Sequence, residues 1–89
     1  MSGPRLYVVY LGGDPAPGRL GEDHEVAVVV AADVSEARRR ARAKWAGVAE
    51  PHVDAVRVLD VVDGYAVTLV PSDRAEDLDI DVTYEPADG

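Results

Sequence analysis

Two short runs, Leu6-Tyr7-Val8-Val9-Tyr10-Leu11 and Val26-Ala27-Val28-Val29-Val30, are apolar at every consecutive position. A strand sends successive side chains to opposite faces, so each run predicts a strand that needs cover on both sides. Only one segment carries a helical period. Val34, Ala37, Ala41, Trp45 and Val48 recur at steps of three and four, with arginines filling the positions between. One amphipathic helix shields one face of a sheet, which leaves the second face to something else. A second copy of the protein is the simplest candidate, since symmetric pairs are the commonest assemblies. The chain's own loop and C-terminal segment are the competing cover.

The remaining signals set the order of elements. Leu6–Leu11 reads as a central strand ended by Gly12-Gly13, and residues 14–21 hold two Pro and two Gly, a loop composition. Val26–Val30 is the second strand. Asp33 followed by Glu36 fits a capping box, so a helix is expected from about Val34, with Gly47 as its natural stop. Trp45 is the one large anchor of its apolar stripe. Ala55–Val62 and Tyr65–Val70 flank Asp63-Gly64, the dipeptide of a type I′ hairpin turn. Leu78, Ile80, Val82 and Tyr84 alternate with Asp79, Asp81, Thr83 and Glu85, which predicts an edge strand. The order β-β-α-β-β-β implies an α+β fold in which a single helix packs on one face of a four- to five-stranded mixed or antiparallel sheet. The first strand is expected between the second and third.

A chain of 89 residues holds one core, so residues 1–89 form a single domain. The absence of Cys removes disulfides, thiolate zinc sites and thiol nucleophiles, and places the protein by default in the cytoplasm. No apolar run reaches the length of a membrane span, and Met1–Arg5 lacks the pattern of an export signal. A net charge of −8 argues against nucleic acid or anionic membrane as partner. The charge is unevenly spread. Arg38, Arg39, Arg40, Arg42 and Lys44 crowd the helix against Glu36, while residues 71–89 hold seven acids and only Arg74.

Two short motifs, Glu22-x-His24 and His52-x-Asp54, each precede a predicted strand. If the second and third strands run parallel, both motifs lie at one end of the sheet, where the end of the first strand, with Tyr10 and Asp14, arrives too. Two imidazoles with carboxylates suit a divalent metal such as zinc, because neutral His and ionised Asp or Glu are its ligands where Cys is lacking. The spacing is unspecific and lacks the helical H-E-x-x-H arrangement, so these side chains equally suit the capping of loops. The arginines of the helix, Arg38, Arg39 and Arg42 among them, suit a solvated face or pairing with acids such as Asp79 and Asp81 of the same or a neighbouring chain. No Gly-Lys-Ser/Thr follows the glycine-rich loop, and no Ser sits in a nucleophile elbow, so neither a phosphate cradle nor a triad is expected.

Four blocks carry a resemblance: LYVVYLGG at 6–13, EDHEVAVVV at 22–30, Lys44-Trp45, and His52-Val53-Asp54 with Val62-Asp63-Gly64-Tyr65. Together they resemble the bacterial domain-of-unknown-function family 1543 over about residues 5–70, leaving the acidic segment 71–89 outside. The resemblance implies one or two copies of the domain per chain and brings no activity with it. The expectation is a non-catalytic, self-associating binding or assembly module, a homodimer with no cofactor. The alternatives are a metal-binding domain or small metal-dependent enzyme using Glu22, His24, His52 and Asp54, with zinc as the metal, and an acidic inhibitor of a basic protein partner.

Overall fold

A computed structural model describes residues 3–13, 23–45 and 50–74. Its elements are β1 (Arg5–Gly13), β2 (Asp23–Ala31), α1 (Val34–Ala43), β3 (His52–Val58), β4 (Val61–Val62) and β5 (Tyr65–Ala66). The first three strands form one sheet in the order β2-β1-β3, and β1 pairs antiparallel with both neighbours. The central place expected for the first strand is therefore the observed one. β2 and β3 run in the same direction on either side of β1, joined across it by α1.

Alternation along the strands divides the sheet into two faces. Tyr7, Val9 and Leu11 of β1 are buried with Ala27, Val29 and Ala31 of β2 against Ala37 and Ala41 of α1. Ala37 and Ala41 have no exposed surface, so the helix approaches on its smallest side chains. Val34, in the first turn, is 44% exposed and stands outside the core, and Trp45 follows the helix end and is half-buried. The expected stripe thus narrows to its alanines, with Trp45 packed at the core's rim; Val48 lies outside the described residues.

The helix starts where the capping signal places it. The Asp33 carboxylate accepts from the Glu36 N–H at 2.8 Å, and Glu36 Oε1 accepts from the Ala32 N–H at 2.7 Å. The return bond thus lands one residue before the cap, a variant of the reciprocal box. The helix ends at Ala43 with Lys44 as its C-cap, short of the expected stop at Gly47, which lies outside the described residues.

Among the described residues the sheet has three strands, fewer than the expected four or five. The Leu59 N–H donates to Leu6 O at 2.8 Å, and Arg5 Nη1 lies 3.9 Å from Asp60 Oδ2. There β1 ends, so a third strand running on to Val62 would have no partner. The chain bends at Asp60 and pairs with itself: Val61 and Val62 face Ala66 and Tyr65 in a separate two-stranded hairpin. The turn is the expected one, with Asp63 at φ 52° and Gly64 at φ 83°. The predicted strand Tyr65–Val70 shrinks to Tyr65–Ala66, and the predicted edge strand at 78–84 lies outside the described residues. No helix among the described residues is long and apolar enough to cross a membrane.

Candidate functional site

Gly12 is where the two histidine motifs meet. In register it faces His24 of β2 on one side and His52 of β3 on the other. All three therefore lie on the face of the sheet turned away from α1. Asp54 joins them. A Cβ placed on Gly12 would come within 2.8 Å of His52 Nε2, 3.0 Å of Asp54 Oδ2 and 3.2 Å of His24 Cδ2. The missing side chain is the space these groups occupy.

Both imidazoles reach the same carboxylate through Nε2. His52 Nε2 lies 3.1 Å from Asp54 Oδ1 and His24 Nε2 lies 3.9 Å from Asp54 Oδ2. The three side chains are between 42% and 65% exposed, so the cluster is open to solvent. Glu22 and Asp14, expected near this group, lie outside the described residues; Tyr10 stands two positions from Gly12 on the same face, 48% exposed. As the side chains stand, no three His, Cys, Asp or Glu among the described residues are grouped in a ready-made metal site.

A break in the β1–β3 ladder supplies Asp54. Tyr10 pairs with Ala55 and Leu11 with Val53, so Asp54 is an extra residue with no partner of its own. Such bulges bend a strand and re-aim side chains, and they concentrate next to functional groups. The neighbouring Gly13 serves the opposite face: a Cβ there would meet Trp45 Cζ2 at 3.1 Å and Pro51 Cα at 3.3 Å. The Gly12-Gly13 pair, which reads as a strand terminator, forms the last two residues of β1 and there admits a ring on each side of the sheet.

The same outward face is apolar along the rest of its length. Leu6, Val8 and Tyr10 of β1 pair with Val30, Val28 and Val26 of β2. Tyr10 is 48% and Val30 41% exposed, and the other four are half-buried. Among the described elements only α1 packs on this sheet, and it does so from the other side.

The helix arginines are exposed, and those with short contacts turn to their own helix. Arg39 and Arg40 reach Glu36 Oε2 at 3.5 and 3.7 Å, while Asp79 and Asp81 lie outside the described residues. Lys44 Nζ donates to Val28 O at 3.0 Å. That bond covers part of the outer edge of β2, which pairs with no other described strand.

These features define a small α+β domain: a three-stranded antiparallel sheet with one helix on one face and a polar cluster at the glycine end of the other. The chain belongs to the family described as Domain of Unknown Function (DUF1543), whose model matches residues 19–69. The match takes in β2, α1, β3 and the hairpin, and so both histidine motifs, but begins after the LYVVYLGG block of β1. No curated protein and no solved structure matches the chain.

Proposed function

We propose that this domain is a non-catalytic assembly module of the cytoplasm, in which the outward face of the sheet packs on the same face of a second copy. The observation that carries this reading is the run of Leu6, Val8, Tyr10, Val26, Val28 and Val30 on the side of the sheet that α1 does not cover. Burying apolar surface contributes roughly 25 cal/mol per Å², and two twisted sheets pack face to face about 10 Å apart through such interdigitating side chains. A two-fold pairing needs only one self-complementary patch. It also accounts for strands that are apolar on both sides where the described residues hold a single helix.

Sedimentation velocity from about 1 to 100 μM tests the reading. A dimer mass is expected, and Tyr10→Glu, which places a charge on that face without touching the helix-side core, is expected to return the protein to monomer. A strict monomer at 100 μM overturns the reading. A chain ending at residue 74 separates the competing cover: if it dimerises while the full chain does not, the C-terminal segment is what shields this face.

A further inference from the structure

We infer that His24, His52 and Asp54 form a divalent transition-metal site, built over Gly12 at the end of the outward sheet face. This inference goes beyond the assembly reading and stands on other residues. The donor set suits the ion: two imidazole nitrogens and one carboxylate are a zinc-type set that needs no Cys, and three protein ligands leave a further position open to water or a ligand.

Both imidazoles converge on one carboxylate. Zinc holds N and O ligands near 2.0–2.2 Å, so neighbouring ligand atoms in a tetrahedral shell stand about 3.3 Å apart. His52 Nε2 and Asp54 Oδ1 are at 3.1 Å, and His24 Nε2 is 3.9 Å from Oδ2 of the same carboxylate. The two contacts use different oxygens of Asp54, so a shared ion requires the His24 and Asp54 side chains, 65% and 42% exposed, to turn until both imidazoles meet it beside one carboxylate. The backbone is arranged around the same point. Gly12 leaves out the side chain that would fill it, and Asp54 is the unpaired extra residue that brings a carboxylate between the two rings. β2 contributes one ligand, β3 two and β1 the space between them, so the site exists only in the folded sheet.

Titration of the tag-free full chain with Co(II) and with Zn(II), read by visible absorption and by calorimetry, tests this site. One ion per chain is expected to bind with a dissociation constant in the micromolar range. His24→Ala, His52→Ala and Asp54→Asn are each expected to weaken binding at least tenfold. Gly12→Val, which keeps every ligand and fills the space between them, is expected to do the same, while Arg39→Ala changes nothing. Histidine ring resonances give a second readout: Zn(II) shifts the Nε2 signals of His24 and His52 together. Circular dichroism confirms that each variant is folded before it is titrated. No saturable uptake below about 100 μM, or uptake that both histidine variants leave unchanged, overturns the inference.

Discussion

Val53 and Val56 of β3 both pack on the helix-side core although they stand three residues apart. In a regular strand an odd separation puts two side chains on opposite faces. The extra residue between their partners on β1 resolves this: Val53 pairs with Leu11 and Val56 with Val9, and Asp54 is the one left over. The bulge thus lets β3 send two valines inward and still set His52 and Asp54 outward beside each other.

Removing Asp54 outright is therefore expected to leave a regular strand with every other side chain on its present face. His52, Ala55 and Arg57 would remain outward, opposite Gly12, Tyr10 and Val8, with Val53 and Val56 inward. The deletion is predicted to change unfolding free energy by no more than about 0.5 kcal/mol, the range of a neutral surface change. Urea denaturation checks it. A loss of several kcal/mol would mean that the bulge serves the fold and not the cluster.

The two adjacent glycines are predicted to respond differently to the same methyl group. At Gly12 the added Cβ meets the far ends of exposed side chains, which can swing away, so Gly12→Ala leaves stability nearly unchanged. At Gly13 it meets the Trp45 ring and the backbone of Pro51. Overpacking of that kind costs about 1–3 kcal/mol. Thermal melts of the two variants, compared side by side, are expected to show a lower midpoint for Gly13→Ala alone.

Much of this architecture is legible in the residues because the local signals agree with one another. Leu6–Leu11 reads as a central strand, Asp33 with Glu36 marks the helix start, and Asp63-Gly64 marks the turn, each through chemistry contained in a few neighbouring positions. The convergence of His24 with His52 follows from topology once α1 joins two strands that run the same way. What the residues do not display is where pairing partners run out. Ala55–Val62 looks like one strand, and only the end of β1 at Arg5 decides that it breaks at Leu59. Nor does Gly12-Gly13 announce two opposed packing roles, since a glycine pair signals a turn at least as readily as close approach within a strand.

The N-cap of α1 is predicted to matter more than its exposed charges. Asp33→Ala removes the acceptor of the Glu36 N–H, and loss of such a cap costs about 1 kcal/mol. Arg39→Ala removes only a 3.5 Å surface contact to Glu36, of a kind that contributes about 0.2–0.5 kcal/mol. Denaturant midpoints of both variants check the order. An equal or larger loss at Arg39 would show that the arginine contributes more than this helix contact.

The hairpin is predicted to unfold separately from the sheet. β4 and β5 contact each other and no other described element, and Val61 and Tyr65 are 64% and 78% exposed. A lone two-stranded hairpin is marginal in water, so its amides are expected to exchange orders of magnitude faster than those of Val9 and Leu11 in β1. Gly64 holds a φ of 83° that L side chains rarely adopt. Gly64→Ala should accordingly disorder residues 61–66 in amide spectra while shifting the global melting midpoint by only about 1 °C, since little of the core's stability passes through this turn. If exchange at Val62 and Tyr65 is instead as slow as in β1, these residues are held by a surface beyond the hairpin itself. A second copy of the domain would then be the first place to look, and the protection should fade on dilution.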